Sequence, residues 1–150
     1  MGSTYHALFY HVFFHTKYNN SLIDPGWESG LYAYICARVA EAGGFVLAIG
    51  GIDNHIHLLL KLKPTARISD LMRRIKGTSS RWVHVIPGVT EFGWQVGYTA
   101  ISVSPSAVDT TRRYVLNQKE HHGIITPRRE LITTLDQCRI EYDPRFLPDI

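Results

Sequence analysis

The apolar run His55-Ile-His-Leu-Leu-Leu60 constrains the fold of this chain more than any other segment. A short run of this kind is typical of a buried β-strand. Because successive side chains of a strand point to opposite faces, His55 and His57 share one face of the sheet. Two imidazoles held on a rigid face are suitable ligands for a divalent metal ion. The motif alone favours a structural interpretation, in which both histidines are core residues with satisfied hydrogen bonds.

Apolar periodicity predicts the elements around this strand. Strands are indicated at residues 5–16, 45–50, 55–63 and 95–103, with a turn at 51–54. Helices are indicated at residues 27–42, 68–82, 104–123 and 127–136, with Asp24 and Ser104 as N-caps. This βαββαβ order predicts an α+β fold with a single antiparallel sheet backed by helices, similar to ferredoxin-like and RNA-recognition domains. A C-terminal helix that carries Tyr114 follows.

Length and composition fit one globular domain. The 150 residues are 45% hydrophobic and 19% charged, which is typical of a chain that buries a normal core. No apolar run approaches the ~20 residues that span a bilayer, and the N-terminus lacks the pattern of a signal peptide. We therefore expect a cytoplasmic protein without membrane association, in which the widely separated Cys36 and Cys138 are free thiols.

Basic residues form clusters along the chain. The net charge of +3 and the pI near 9.0 permit a polyanionic partner without requiring one. A solvated helix face is the favoured explanation for any single cluster, but three clusters together favour binding to a phosphate backbone. The clusters are Arg73, Arg74, Lys76 and Arg81; Arg112 and Arg113; and Arg128 and Arg129.

A second group of polar residues follows about sixty residues after the histidine pair. Tyr114 and Gln118 lie four positions apart and share one face of the predicted helix, and His121 and His122 follow one turn later. A tyrosine on such a helix is ordinarily a packing residue. If His55 and His57 hold Mg²⁺ or Mn²⁺, however, the amide oxygen of Gln118 is the nearest plausible third ligand. Tyr114 then lies within reach of a phosphate that the ion polarises, as a nucleophile.

Five motifs in this order resemble one known family. The strand motif resembles the His-hydrophobic-His motif of HUH endonucleases, and residues 114–122 are similar to the tyrosine helix of the IS200/IS605 family of single-tyrosine transposases. The likeness runs from about residue 5 to about residue 123. The motifs are Tyr10-His-Val-Phe-Phe-His-Thr-Lys-Tyr18, Asp53-Asn-His-Ile-His-Leu-Leu-Leu60, Ile75-Lys-Gly-Thr-Ser-Ser80, Trp94-Gln-Val-Gly-Tyr98 and Tyr114-Val-Leu-Asn-Gln-Lys-Glu-His-His122.

The resemblance implies both a site and a reaction. It makes His55, His57 and Gln118 the ligands of Mg²⁺ or Mn²⁺, and Tyr114 the nucleophile. Members of the family cleave single-stranded DNA through a 5′-phosphotyrosine link, free a 3′-hydroxyl and rejoin strands by the reverse attack. They recognise hairpins near element ends and act as homodimers, in which the tyrosine helix can complete the site of the other subunit. We therefore expect one HUH-type transposase domain over residues 1–150, with a core at about 5–123 and an extension at 124–150.

Several residues and alternatives stay open at this point. His121 and His122 match the family and are expected to support the site, contact DNA or cap the helix. Asn54 stands where transposition-competent relatives often carry Asp, and Asn is frequent there in REP-associated tyrosine transposases. The expected DNA contacts are Arg73, Arg74, Lys76, Arg81, Arg112 and Arg113. A Rep- or relaxase-like HUH nickase and a non-catalytic nucleic-acid-binding module are the alternative functions.

Overall fold

Four antiparallel strands form the single sheet of this structure, a computed structural model that describes residues 2–147. Residue 1 and residues 148–150 of the expected domain lie outside the described residues. The strands are β1 (Phe9–His15), β2 (Phe45–Ile52), β3 (His55–Lys61) and β4 (Thr99–Val103). They lie in the order β2-β3-β1-β4, and each neighbouring pair is antiparallel. The predicted α+β class and the ferredoxin-like order are confirmed.

Among residues 2–147, five α-helices cover the two faces of the sheet. They are α1 (Pro25–Glu41), α2 (Ile68–His84), α3 (Val108–Leu116), α4 (Gln118–His121) and α5 (Pro127–Gln137). The predicted cap of the first helix is confirmed, because Asp24 Oδ1 accepts a hydrogen bond of 2.7 Å from the Gly26 amide and Pro25 follows at the first helical position. The side chain of Ser104 caps nothing, and a single 3₁₀ turn at Pro105–Ala107 precedes α3.

The two faces of the sheet bury different side chains. The even-numbered residues of β3 (Ile56, Leu58 and Leu60) pack with α1 and α2 in the main core. Each such side chain stabilises the fold by about 1.5–3 kcal/mol when it is fully buried. The odd-numbered residues face the opposite layer, where Leu59 packs against Val115 of α3. The histidine pair therefore lies between the sheet and the helices that follow β4.

Several boundaries differ from the sequence predictions. β1 begins at Phe9 and β4 at Thr99, because their mutual pairing spans only these residues, and the β2–β3 turn shortens to residues 53 and 54. The helix predicted over residues 104–123 is interrupted at Asn117, whose φ of −100° and ψ of 23° depart from α-helical values. Asparagine competes poorly for helical conformations, so a break is favourable at this position.

A simpler expectation, on the cysteines, is met. Cys36 and Cys138 are free thiols. Within residues 2–147, no helix has the length and apolar character needed to cross a membrane.

Candidate active site

The histidine face is built by the two central strands of the sheet. His55 and His57 on β3 are fully buried and share that face, as the spacing predicts. In β1, Phe13 lies opposite His57 and His15 lies opposite His55, and each ring stacks on its neighbour with centroids 4.6 and 5.1 Å apart. His11 Nε2 lies 2.7 Å from His57 Nδ1. No role was predicted for His11 and His15 from the sequence, although the same two-residue period places them beside the pair.

Asn54 fixes the orientation of the first imidazole. Its Oδ1 accepts a hydrogen bond of 2.8 Å from His55 Nδ1–H, and both side chains are buried. An imidazole that donates from Nδ1 keeps its lone pair on Nε2. His55 Nε2 consequently faces the helices of the opposite layer as an acceptor. This is the support that metal-binding histidines ordinarily receive from a neighbouring oxygen.

The tyrosine helix approaches the sheet closely at one glycine. A Cβ atom on Gly50 of β2 would lie 2.1 Å from the carbonyl oxygen of Val115, so only glycine permits this contact. The approach brings the fully buried Gln118 to the histidines, with its Oε1 3.1 Å from His55 Nε2. Gln118 Nε2 donates to the Tyr114 carbonyl at 3.2 Å, which fixes the direction of the amide. The predicted juxtaposition of Tyr114, Gln118 and the histidine pair is therefore present within one chain.

A carboxylate that the sequence analysis did not identify lies at the centre of the site. Glu130 of α5 is only 2% exposed, and its Oε1 lies 2.9 Å from His57 Nε2 and 3.6 Å from His55 Nε2. The Tyr114 hydroxyl donates a very short hydrogen bond to the other oxygen, Oε2. The available signal in the sequence was weak, because an acidic residue in the first turn of a helix usually interacts with the helix dipole. Leu131 and Leu135 of α5 pack against Phe13 and so hold the carboxylate in place.

His121 and His122 surround the same carboxylate. The Nε2 atom of each lies 3.2 Å from Glu130 Oε2. His122 Nε2 also lies 3.0 Å from Gln118 Oε1, and its Nδ1 lies 2.7 Å from the Ile125 carbonyl. Burial lowers the pKa of His122, but the hydrogen bond and charge of Glu130 outweigh it and the net shift is upward. His122 therefore acts as a donor that orients the oxygens of Gln118 and Glu130.

Burial and hydrogen bonding together determine the protonation of the remaining groups. Burial lowers the pKa of His55 and His57, and it lowers that of His11 to about 3, so these rings are neutral near neutral pH. Burial also raises the pKa of Tyr114, and the negative charge of Glu130 raises it further. Burial opposes ionisation of Glu130, but hydrogen bonds from histidines hold its pKa well below the usual range. The site therefore pairs neutral imidazoles and a protonated phenol with a carboxylate anion.

The donor atoms fit a divalent metal ion. One ligand atom each from His55, His57, His122 and Glu130 lies within 4.8 Å of the others, so this group can hold an ion. Donors at right angles around Mg²⁺ or Mn²⁺, each ~2.1 Å from it, lie about 3 Å apart. The 3.1 Å between His55 Nε2 and Gln118 Oε1 matches that spacing. Imidazole nitrogen with amide and carboxylate oxygen is a suitable mixture for Mn²⁺ and acceptable for Mg²⁺.

A groove of about 770 Å³ leads to the tyrosine. It runs between β4, α3 and α5, and Tyr114, His121 and Glu130 lie on its wall. Hydroxyl groups can donate hydrogen bonds to phosphate and sugar oxygens. The hydroxyl side chains of the groove are Ser102, Ser104, Thr110, Thr111, Thr133 and Thr134.

The basic residues occupy two different surfaces. Arg73, Arg74 and Arg81 are exposed on α2, on the far side of the sheet from the imidazoles. Lys76, also on α2, is half-buried, and its ammonium donates at 2.6 Å to the backbone carbonyls of both Gln95 and Gly97. By contrast, Arg112 and Arg113 are exposed on α3 beside the tyrosine. The structure thus brings the α3 pair, and not the arginines of α2, close to the candidate chemistry.

Comparison with known proteins identifies the family. The profile of the family described as "Transposase IS200 like" matches residues 4–118, which is more than half of the chain. The chain belongs to this family of IS200-like transposases.

Individual relatives agree with this assignment. The ISDra2 transposase TnpA of Deinococcus radiodurans is 26% identical over an alignment of 121 residues, and the match covers 77% of this chain and 86% of the relative. A crystal structure of a candidate transposase from Deinococcus radiodurans R1 superposes with a TM-score of 0.60 at 25% identity, and the match covers 79% of this chain and 96% of that one. A structure of a REP-associated tyrosine transposase bound to a REP hairpin superposes with a TM-score of 0.63 at 14% identity. The match covers 83% of this chain and 76% of that one, and it supports the fold.

Proposed function

We propose that this transposase cleaves and rejoins single-stranded DNA through a tyrosine–phosphate intermediate at hairpin-marked element ends. The observation that carries this function is the convergence of Tyr114 with His55, His57 and Gln118 in one buried site. The rings of Tyr114 and His57 are 5.7 Å apart, between centroids. A nucleophile and a metal-binding group at that separation can contact one phosphate together.

His55, His57 and Gln118 hold Mg²⁺ or Mn²⁺ in this proposal. When bound, such a cation polarises the scissile phosphate and stabilises the charge that develops on its oxygens. Asn54 keeps the lone pair of His55 directed into the site, and His122 orients the amide oxygen of Gln118. The low pKa of both imidazoles keeps them in the neutral, metal-binding form.

Tyr114 provides the nucleophile. Its phenolic oxygen forms a bond to the phosphorus while the bond from phosphorus to the 3′ oxygen breaks. The phenol gives its proton to solvent water, and the departing 3′ oxygen takes up a proton from water to become a hydroxyl. The 5′ side of the strand break stays on Tyr114. Attack by another 3′-hydroxyl reverses the step and rejoins strands without an external energy source.

The DNA is bound by basic side chains on two surfaces. Arg112 and Arg113, which flank Tyr114, contact phosphates of the cleaved strand. Exposed arginines of α2 bind the backbone of a hairpin, in the manner expected for non-specific phosphate contacts. These residues are Arg73, Arg74 and Arg81. Lys76 can add one contact, because the carbonyls of Gln95 and Gly97 accept only two of the three protons of its ammonium. The REP-associated tyrosine transposase of similar fold was solved bound to a REP hairpin, which is consistent with a hairpin substrate here.

The protein acts as a homodimer in this proposal. Residues 104–107 join β4 to α3, so this link is where the chain would turn to carry Tyr114 and Gln118 to a second subunit. Mixing Tyr114→Phe protein with His57→Ala protein tests the exchange. Adduct formation by the mixture, when neither variant forms an adduct alone, identifies sites shared between subunits.

One experiment tests the function itself. The chain is incubated with labelled single-stranded hairpin DNA and Mg²⁺ or Mn²⁺, and the products are separated in SDS. We expect a covalent adduct that Tyr114→Phe abolishes and that Tyr34→Phe, a matched change on α1, leaves unchanged. His57→Ala is expected to lose the adduct and keep DNA binding.

The same experiment separates the alternatives. Tight binding that survives EDTA, with no adduct on any hairpin strand, identifies a non-catalytic binding module. An adduct that is never rejoined to a second strand identifies a nickase of the Rep or relaxase type.

A further inference from the structure

Glu130 occupies a position that neither the strand motif nor the tyrosine helix accounts for. It belongs to α5, which lies beyond residue 118, where the family match ends. Its side chain is 2% exposed and contacts His57, Tyr114, His121 and His122. Burying a carboxylate is costly unless cations or several donors satisfy it, so such a residue needs a specific reason to be there.

The two oxygens of this carboxylate face different partners. Oε1 lies 2.9 Å from His57 Nε2 and 3.6 Å from His55 Nε2, the two nitrogens that bind the ion in the proposed function. Oε2 accepts the proton of the Tyr114 hydroxyl. Two donors of one divalent ion lie about 3 Å apart when they are at right angles. The spacing between Oε1 and the nitrogens is therefore that of neighbouring ligands.

We infer that Glu130 is a fourth protein ligand of the metal ion, through Oε1, and that its Oε2 aligns the Tyr114 hydroxyl with the ion. This inference rests on the proposed metal site of His55 and His57. A negative oxygen completes a donor set that is otherwise neutral, which favours Mg²⁺ or Mn²⁺ over an empty site. Leu131 and Leu135, packed on Phe13, keep α5 in register with the strands. The extension after the family match is thus part of the site.

Metal binding, measured without DNA, tests the inference. Mn²⁺ is titrated into the full chain by isothermal calorimetry and EPR for the wild type, Glu130→Gln, Glu130→Ala, His57→Ala and the control Glu120→Gln. Glu120 is an exposed carboxylate on α4. We expect the Kd for Mn²⁺ to rise at least about tenfold in both Glu130 variants, as it does when other groups that support a metal site are removed. The Kd of the control should not change.

The number of water molecules on the bound ion distinguishes a ligand from a nearby charge. In ¹⁷O-labelled water, EPR should count one more water on Mn²⁺ in Glu130→Ala than in the wild type. Weaker binding with an unchanged water number overturns the ligand role, because it leaves only an electrostatic effect. Unchanged or tighter Mn²⁺ binding in both Glu130 variants also overturns it. The carboxylate would then only form hydrogen bonds to the histidines and would not bind the ion. Circular dichroism in EDTA checks that each variant is folded.

The outcomes separate this inference from the proposed function. If His57→Ala weakens Mn²⁺ binding and the Glu130 variants do not, only the inference fails. If His57→Ala has no effect, or if the wild type binds no Mn²⁺, the metal site and the inference fail together. If the Glu130 variants weaken binding but the wild type forms no DNA adduct, the ligand role stands and the transfer reaction fails.

Discussion

Gly50 of β2 lies directly against the carbonyl of Val115, at a distance that leaves no room for a side chain. Gly50→Ala should therefore push α3 away from the sheet, and with it Tyr114 and Gln118. We expect a loss of about 1–3 kcal/mol in the free energy of unfolding, as for other overpacked sites. Adduct formation should fall at least tenfold, because small displacements of a nucleophile are costly. Chemical denaturation and the SDS assay measure the two effects.

The matched control is Gly77, in the exposed part of α2, where an added Cβ meets nothing within 4 Å. Gly77→Ala should stabilise the chain by up to about 1 kcal/mol and leave the adduct yield unchanged. Full activity of Gly50→Ala would show that α3 does not need this contact.

Asn54 holds the tautomer of His55, so its replacement should weaken metal binding. Removal of the amide in Asn54→Ala lets the proton of the imidazole move to Nε2. We expect a 10- to 100-fold rise in the Kd for Mn²⁺ in calorimetry, the range found for supporting groups of metal sites. Asn54→Asp should retain or improve the affinity, because a carboxylate also accepts from Nδ1–H. Equal affinities of the Ala variant and the wild type would contradict this role.

Removal of the metal should separate binding from cleavage. In EDTA the wild type should form no adduct but should still bind hairpin DNA, since the exposed arginines of α2 lie on the other side of the sheet from the imidazoles. Re-addition of Mn²⁺ should restore the adduct. Gel-shift and SDS assays on the same samples provide the comparison, and an adduct that forms in EDTA would exclude a metal-dependent reaction.

The arginines should be distinguishable by the salt dependence of DNA binding. Each phosphate contact that is lost reduces the slope of log K against log salt by about 0.7–0.9. We expect such a decrease for Arg112→Ala, Arg113→Ala and Arg81→Ala, measured by fluorescence anisotropy at several salt concentrations. Arg145→Ala is the control, because Arg145 pairs with Asp143 in the C-terminal segment. Unchanged slopes for all three variants would place the DNA elsewhere.

Lys76 should behave differently from its neighbours on α2. Its ammonium holds the carbonyls of Gln95 and Gly97, and burial lowers its pKa. Lys76→Met should therefore cost about 1–3 kcal/mol of stability, the range expected when hydrogen bonds from a charged donor are lost. Thermal unfolding measures this loss. A stable variant with a strongly reduced salt slope would assign Lys76 mainly to DNA.

The sequence was sufficient for the parts of the fold that depend on local periodicity. The two-residue period predicted that His55 and His57 share a face, and the order of elements predicted the sheet. It was insufficient where tertiary packing determines the backbone conformation. Asn117 interrupts a helix whose apolar spacing looked continuous, and Ser104 caps no helix because the chain enters α3 through a 3₁₀ turn.

The candidate site was only partly predictable for the same reason. Tyr114 and Gln118 were found because they lie four positions apart within one predicted helix. In the structure they lie on α3 and α4, on either side of Asn117, and still meet at the site. Glu130 reaches His57 across 73 positions of the chain, and no local pattern marks that contact. The position of α5 depends on tertiary packing, such as that of Leu131 and Leu135 on Phe13.

The position of the histidines in the sheet also bears on motion. His55 and His57 lie on β3 and His11 on β1, the two central strands, and the large core under them involves α1 and α2. By contrast, α3 and α5 are held by small apolar clusters. Local opening is rarest in the centre of a well-packed sheet and most frequent in weakly packed segments. We therefore expect the imidazoles to stay fixed and the layer that carries Tyr114 to open more readily. In the proposed reaction, access of DNA to the imidazoles then depends on how often that layer opens.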